Sequence, residues 1–276
     1  MKHEQMAEPI APPPAERNGD RRGIQSIEVG GALLQALVRH GGPMILKELA
    51  RTAGMPPAKA HPYLVSFGKL GLIEQDPLTG RYGLGTFALQ MGLSALHGLN
   101  PLRVATPEAA KLSDEIGQNV AIAVWGNQGA TVVSIEECSR QVHVNMRVGT
   151  VMNLVTSATG RVFAAYLPAR LTGTLIAEEL AHLGRAGDPS LHLTKKQLGD
   201  ELEEIRRQRL ARAVGQPIPG INAFCAPVFD HNGHIALTIT AMGAADNFDP
   251  DWHGPLAEKL RSCAESISAR LGKMEG

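Results

Sequence analysis

Two groups of side chains in this sequence carry metal-ligating atoms at loose spacings: His182, Asp188 and His192, and Glu136, Glu137, Cys138 and His143. Neither spacing matches a closed zinc site, so we expect no bound metal. The sequence also contains no nucleophile elbow, no phosphate-cradling glycine loop and no HExxH pair. We therefore expect a protein that is not an enzyme and that uses no cofactor.

The polar side chains that best fit a chemical task lie on one predicted helix. An apolar stripe at the i, i+4, i+7 spacing predicts its buried face: Ala60, Leu64 and Phe67. The opposite face then carries Ala58, Lys59, Pro62, Ser66 and Lys69. Amino and hydroxyl groups at this spacing suit contacts with DNA phosphates and base edges, although an ordinary solvated helix face has the same pattern. His61 and Tyr63 flank this face, and His61 is placed either to donate to a phosphate or to pack against the preceding helix.

A third chemical feature is the sequence SATGR, from Ser157 to Arg161. It is not a phosphate-binding P-loop, because it lacks the second glycine and the following Lys-Ser/Thr pair. Its capping serine and small residues instead predict a helix N-terminus at the wall of a pocket. Backbone N–H groups at such a position are able to bind a ligand carboxylate.

The elements that must position the basic face lie between Leu46 and Leu84. A short helix ends at Gly54, a second helix ends at Gly71, and a strand-turn-strand sequence follows around 76–80. This order predicts a winged helix-turn-helix, preceded by a helix over 25–40 and a short strand at 44–45. Arg81 at the hairpin tip is placed either to face the DNA backbone or to be a solvated turn residue.

Pro62 lies where a DNA-reading helix is expected to be most regular. If that helix begins at Pro57, Pro62 removes a backbone hydrogen bond and clashes with the Ala58 carbonyl, at a cost of roughly 3 kcal/mol. A helix that begins nearer His61 would avoid this cost. Replacement of Pro62 by arginine is expected to tighten DNA binding.

The residues after the wing predict a linker helix and a second domain. The segment 86–99 is rich in apolar residues beyond a single stripe, which fits either a linker helix that packs against a partner chain or an internal core helix. In the second domain we expect helices over 106–118 (with Thr106 as N-cap and Pro107 at its first position), 157–166, 194–214 and 251–271. We expect strands over 119–125, 130–136, 142–148, 221–229 and 234–242. Antiparallel strands flanked by helices make an α+β domain.

Length and composition place these elements in a broad class. The chain has 276 residues, enough for two domains, and its 27 basic and 27 acidic residues cancel, so DNA contact must depend on a local patch. Three separated cysteines favour a reducing cytoplasm, and Cys225 is interpreted as a small core residue. No apolar run is long enough to span a membrane, and the proline-rich residues 1–22 predict a flexible tail.

Four segments together resemble the IclR-type transcriptional regulators: QSIEVGGALLQAL, LKELARTAGMPPAKAHPYLVSFGKLGLIEQDPLTGRYGLG, SATGRVFAAYLP and GINAFCAPVFDHNGHIALTITAMG. The resemblance implies a winged helix-turn-helix over 23–85, a linker helix over 86–100 and a GAF-like effector-binding and oligomerisation domain over 101–276. It also implies a homodimer or dimer of dimers that binds pseudo-palindromic promoter DNA under the control of a small organic effector. A binding or interaction protein with a degenerate helix-turn-helix is the alternative.

The resemblance also implies where each site lies. The positions expected to contact DNA are Lys47, Pro57, Ala58, Lys59, His61, Pro62, Tyr63, Ser66, Lys69 and Arg81. The positions expected to line the effector pocket are Leu154, Ala158, Thr159, Ile221, Ala223, Thr240 and Met242. This mostly apolar set, with two threonine hydroxyls, suits an aromatic or short organic acid. Where the family commonly has Ser-Thr-Ala-His-Arg, this chain has the five residues 58–62, Ala-Lys-Ala-His-Pro.

Overall fold

A computed structural model of the chain describes residues 23–138, 146–186 and 193–273. The chain divides into two compact units on either side of the His97–Gly98 bond. The predicted tail 1–22 lies outside the described residues, as do His143, Asp188 and His192. In the part of the chain that the structure describes, no three metal-ligating side chains come together, and no helix is long and apolar enough to cross a membrane.

The N-terminal unit contains three helices, a hairpin and a fourth helix: α1 Gln25–His40, α2 Leu46–Thr52, α3 Pro57–Lys69, β1 Ile73–Gln75, β2 Tyr82–Leu84 and α4 Thr86–His97. Its core forms where the apolar stripes of α1, α2 and α3 meet, around Leu33, Leu49 and Leu64. Met44 forms an isolated antiparallel bridge with Tyr82, so the short strand predicted at 44–45 is reduced to one paired residue. The predicted winged helix-turn-helix order is confirmed.

Helix α3 begins at Pro57 and contains Pro62 in its interior. The first turn is already formed ahead of Pro62, because the amides of Lys59 and Ala60 both donate to the Pro56 carbonyl. The alternative start near His61 is therefore wrong. Since proline has no N–H, α3 lacks the hydrogen bond that position 62 would otherwise donate to the Ala58 carbonyl.

Replacement of Pro62 by alanine is expected to stabilise α3 by about 1–3 kcal/mol, because it restores this hydrogen bond and removes the ring clash. Part of the gain is offset by the greater freedom of alanine in the unfolded chain. Hydrogen–deuterium exchange of peptides covering α3 would show slower exchange in the variant. Faster exchange would mean that the proline ring itself stabilises the helix.

The C-terminal unit is an α+β structure built on one five-stranded sheet. Its elements are α5 Pro101–Ile116, β3 Asn119–Gly126, β4 Gly129–Glu136, α6 Ala158–Tyr166, α7 Ala169–Ala186, α8 Lys195–Gln208, β5 Ala211–Val214, β6 Ile221–Phe229, β7 Ile235–Ala244, a 3-10 turn Ala245–Asn247 and α9 Pro255–Arg270. The strand order is β4-β3-β7-β6-β5, and the paired strands are antiparallel. The predicted fold class is confirmed.

Alternation along the strands separates two apolar layers. Val120 and Ile122 pack with α5 and α9, whereas Ala121 and Ala123 belong to a second cluster that includes Phe163 of α6. The helices therefore cover the sheet on both faces. A cavity lined by Thr159 of α6 and Thr240 of β7 lies on the α6 side of the sheet.

Two predicted helix boundaries in this unit are wrong, the start of α5 and the end of α8. Helix α5 begins at Pro101, where the Asn100 side chain accepts from two amides; Thr106 is inside the helix and donates to the Leu102 carbonyl at 2.9 Å. The Asn-Pro pair therefore starts the helix six residues before the competing Thr-Pro pair, and Pro107 is an interior residue. Helix α7 was not predicted.

The long helix predicted over 194–214 ends at Gln208. Arg209 adopts a left-handed conformation with φ 50°, and residues 211–214 form β5 on the edge of the sheet. Ladder hydrogen bonds to β6 override the helical pattern there. Of the strand predicted over 142–148, residues 142–145 lie outside the described part and 146–148 are not in a strand.

Candidate DNA-binding surface and effector cavity

The structure places the predicted DNA-contacting residues on the exposed side of α2, α3 and the wing. Tyr63 alone among them is half-buried, where it packs on the core. His61 is exposed rather than packed against the preceding helix. The other eight are also exposed: Lys47, Pro57, Ala58, Lys59, Pro62, Ser66, Lys69 and Arg81.

The ionisable side chains on α3 include basic groups and no carboxylate. Its sequence PAKAHPYLVSFGK contains two lysines and one histidine and no acidic residue. An exposed helix face without carboxylates does not repel a phosphate backbone, even though the whole chain has zero net charge.

The wing is held in shape by its own side chains. The Asp76 carboxylate accepts from the amides of Leu78 at 2.7 Å and Thr79 at 3.1 Å, and these bonds hold the pKa of that carboxyl below its usual value. Arg81 donates from Nη1 to the Pro43 carbonyl at 3.3 Å while its side chain stays exposed. The turn therefore presents Arg81 in a defined position.

A cavity in the C-terminal unit brings together six of the seven residues predicted to bind an effector: Ala158, Thr159, Ile221, Ala223, Thr240 and Met242. Leu154 is buried beside this cavity, in the same cluster as Phe163 and Met242, and does not line it. The remaining lining residues were not predicted: Met146, Met152, Ser157, Ala213, Gln216, Pro217 and Ile218. Three of these come from the loop between β5 and β6, whose turn residues show no periodicity that would predict a wall.

The cavity is lined mostly by apolar groups, with one polar pair. The hydroxyls of Thr159 and Thr240 are buried and lie 2.8 Å apart, within hydrogen-bond distance. The volume open to water-sized molecules is about 40 Å³, which is room for a few waters and too little for an aromatic ring. Binding of an organic molecule here therefore requires the walls to move.

The N-terminus of α6 forms one wall. Ser157 caps the helix, since its Oγ accepts from the Gly160 amide at 2.9 Å and donates to the Asn153 carbonyl at 2.6 Å. The amides of Ala158 and Thr159 precede the first helical hydrogen bond. The predicted helix N-terminus at a pocket wall is thus present.

Glu179 of α7 holds the loop that leads into α6. Its two carboxylate oxygens accept from the amides of Leu154 at 3.0 Å and Val155 at 2.9 Å. Burial raises the pKa of Glu179 above its ordinary value of 4.5, and the two amide hydrogen bonds oppose this shift. This residue was missed because α7 itself was not predicted.

Glu179→Gln is expected to alter how stability depends on pH. A carboxyl with a raised folded-state pKa contributes most to stability below pH 4.5, and that contribution is lost as the pH rises through its folded pKa. The stability of the variant relative to the parent protein should therefore increase as the pH rises from 4.5 to 7. Thermal melts across this range would test it, with Glu178→Gln on the exposed side of α7 as the matched control. A difference in stability that stays constant or falls between pH 4.5 and pH 7 would show that the amide bonds dominate.

Arg161 ties α6 to its neighbours on the side away from the threonine pair. Its guanidinium donates to Glu201 of α8 at 2.5 Å and to the backbone carbonyl of Arg212 in β5 at 2.7 Å. These contacts line an outer pocket of about 310 Å³, which shares Ala213 and Gln216 with the inner cavity. The SATGR segment therefore has two roles: small residues at the cavity wall and an arginine that fixes the helix.

Cys225 lies next to the threonine pair and is fully buried. Burial raises the pKa of its thiol to about 11, against the opposing effect of the Thr240, Thr238 and Thr159 hydroxyls. It is therefore a protonated core residue at neutral pH, in line with its interpretation from the sequence.

A winged helix-turn-helix joined to an α+β unit with an internal cavity defines a ligand-responsive DNA-binding regulator. The family comparison agrees with this class. Residues 26–77 match the IclR helix-turn-helix domain, and residues 93–269 match the C-terminal domain of the bacterial transcriptional regulator IclR. The chain belongs to the IclR family, which is a family of transcriptional regulators and not of enzymes.

Individual relatives are similar over nearly the whole chain. The crystal structure of Pseudomonas aeruginosa HmgR is 39% identical in sequence, with a TM-score of 0.82 over 92% of this chain and 100% of that one. The glycerol operon regulatory protein of Streptomyces griseus is 29% identical over 262 residues, 91% of this chain and 98% of its own. The transcriptional repressor AllR of Klebsiella pneumoniae is 24% identical over 253 residues, 91% of this chain and 92% of its own. The predicted function as an effector-responsive DNA-binding regulator is confirmed as a class of protein.

Proposed function

We propose that this regulator binds a pseudo-palindromic promoter site as a homodimer or dimer of dimers, with the exposed face of α3 in the major groove. The observation that carries the proposal is the exposed, carboxylate-free face of α3, with Lys47 and Arg81 exposed on the neighbouring elements. Lys59 and Lys69 contact phosphates, and Arg81 contacts the backbone beside the groove. The related AllR is a repressor, which favours repression as the direction of control.

The proposed oligomer rests on α4. Five of its large apolar side chains are 40–61% exposed: Phe87, Leu89, Met91, Leu93 and Leu96. At about 100° per residue they spread over roughly two thirds of the helix circumference and leave only a narrow polar side at Gln90 and Ser94. An uncovered apolar surface of this extent is typical of a subunit interface, which supports the linker role of 86–100.

The effector we propose is a small organic or aromatic acid. Its carboxylate binds at the N-terminus of α6, its body displaces the apolar walls, and the hydroxyls of Thr159 and Thr240 bind a second polar group. Leu154 supports the wall from behind. A protein that acts on chromosomal DNA in response to a metabolite is placed in the cytoplasm.

Two experiments test these proposals separately. Gel shifts on the DNA upstream of the gene, at low and moderate salt, should show a complex that survives competitor DNA. A weak, salt-labile complex would favour the alternative of a degenerate helix-turn-helix that no longer reads an operator.

The effector is tested by thermal shift with a panel of aromatic acids and their neutral amides. Acids that bind the cavity should raise the melting temperature of the parent protein. The double variant Thr159→Val, Thr240→Val should no longer distinguish acids that carry a second polar group from acids that lack it. No response to any acid in the panel would contradict this ligand class.

A further inference from the structure

We infer that α3 reads DNA sequence through apolar contacts with the 5-methyl groups of thymines, by means of a surface formed by Ala58, Pro62 and Val65. This inference rests on the proposed placement of α3 in the major groove. It names the chemistry of base recognition that the family assignment leaves open. We call these three residues the apolar reading strip.

The strip is a continuous feature of the exposed helix face. Its residues follow the i, i+4, i+7 spacing and so lie within about 60° of one another around the helix axis. Ala60 and Leu64, which are buried, lie on the opposite side of the helix. The side chain of Val65 is 45% exposed, and Pro62 and Ala58 are exposed as well.

Neither Pro62 nor Val65 contributes to the core of the N-terminal unit. Pro62 removes a helical hydrogen bond, and Val65 is a β-branched residue on a solvent-facing helix position, where both effects disfavour the helix. Residues that disfavour their own secondary structure, and that do not improve packing in return, are expected at functional positions. The strip is thus suited to a partner outside the unit.

The polar groups around the strip are a serine hydroxyl that already donates within the helix and two flexible lysines. Ser66 already donates its hydroxyl proton to the Pro62 carbonyl at 3.0 Å. Lys59 lies to one side of the strip and Lys69 continues it by one turn, positions from which flexible ammonium groups contact phosphates. The exposed apolar side chains at the centre of the helix complement the apolar feature of the major groove, which is the thymine methyl.

The length of the strip sets the number of bases that it contacts. The seven helical steps from Ala58 to Val65 span about 10 Å along the helix. At roughly 3.4 Å per base step, this corresponds to about three consecutive base pairs. Each half-site should therefore contain two or three neighbouring positions at which thymine is preferred on one strand or the other.

The experiment starts with selection of duplexes from a random DNA pool by the full-length protein at moderate salt. Thymines of the selected duplex are then replaced one at a time by deoxyuridine, which lacks the methyl group and keeps every hydrogen-bonding atom. We expect Kd to rise about fourfold for each contacted methyl, the factor that corresponds to burial of one methylene-sized group. Substitution at the other thymines should leave Kd unchanged.

Variants identify the residues responsible. Val65→Ala and Pro62→Ala should each abolish the effect of deoxyuridine at one position, although Pro62→Ala stabilises the helix. Pro62→Arg should bind DNA more tightly in general and also lose the deoxyuridine effect at its position. Lys69→Met is the control: it should weaken binding to the thymine and deoxyuridine duplexes equally and lower the salt dependence by about one ion.

The outcomes separate the inference from the proposed function. If the pool yields no enriched duplex, specific DNA binding itself is contradicted. If a duplex is enriched but contains no clustered thymines, or deoxyuridine leaves Kd unchanged everywhere, base reading through methyl groups is overturned while DNA binding stands.

Discussion

Replacement of Gly160 by alanine is expected to destabilise the C-terminal unit by about 3–5 kcal/mol, a loss large enough to leave much of the unit unfolded. A Cβ at this position would lie 2.0 Å from the Asn153 carbonyl oxygen, 2.6 Å from its carbon and 2.7 Å from the Leu154 Cα. All three are backbone atoms, so no side chain is able to rotate away. The loop must move, and with it the hydrogen bonds that cap α6 and the bonds to Glu179.

Urea unfolding followed by tryptophan fluorescence measures this effect directly. Both tryptophans of the chain, Trp125 and Trp252, are in the C-terminal unit, and the Trp125 ring lies 5.8 Å from that of Phe163 on α6. Gly173→Ala is the matched control, because nothing lies within 4 Å of a Cβ there and the position is inside α7. This control should stabilise the protein by about 0.5–1 kcal/mol. Equal stability of the Gly160 variant and the parent protein would show that the 153–157 loop is not a fixed wall.

Glutamates at Leu89 and Leu93 of α4 are expected to dissociate the protein into monomers and to weaken operator binding by about 10²–10⁴-fold. The two leucines lie about 40° apart on the helix and are 61% and 46% exposed, so the change costs little within the unit itself. In an interface, two buried carboxylates on each subunit would lack partners. Monomers would then bind each half-site alone.

Sedimentation or light scattering gives the oligomeric state, and fluorescence anisotropy gives the affinity for operator DNA. Gln90→Glu is the control, since it adds one carboxylate to the polar side of the same helix. The control should stay oligomeric and bind as the parent protein does. An oligomer that persists in the double variant would contradict α4 as the subunit contact.

The sequence was most informative where a short motif fixes a backbone conformation. Gly54 and Gly71 end helices at φ +71°, and the wing and the β6–β7 hairpin follow from their turn residues. It was least informative where two local signals compete, as with the Asn-Pro and Thr-Pro starts of α5. The helix assigned across 211–214 failed for a different reason, because pairing with a distant strand decided the conformation.

The same distinction holds for the candidate sites. The cavity residues on α6, β6 and β7 were predicted through the resemblance of their segments to the family's motifs, which carries positions over one by one. Gln216, Pro217 and Ile218 were not, because a loop has no period that tells which side chains point inwards. Glu179 and the Glu201 partner of Arg161 come from helices whose sequences are ordinary amphipathic patterns, and only the fold brings them to the site.

The small size of the cavity also bears on how fast the protein would respond to the proposed effector. With room for only a few waters between the Thr159–Thr240 pair and the 216–218 loop, the cavity must widen before it accommodates the proposed organic acid. Opening then precedes or accompanies binding, and the apparent affinity is weaker than the intrinsic affinity by the fraction of molecules that are open. The rate of binding of the proposed effector would level off at high concentration at the rate of opening, so that opening would limit how quickly the regulator responds.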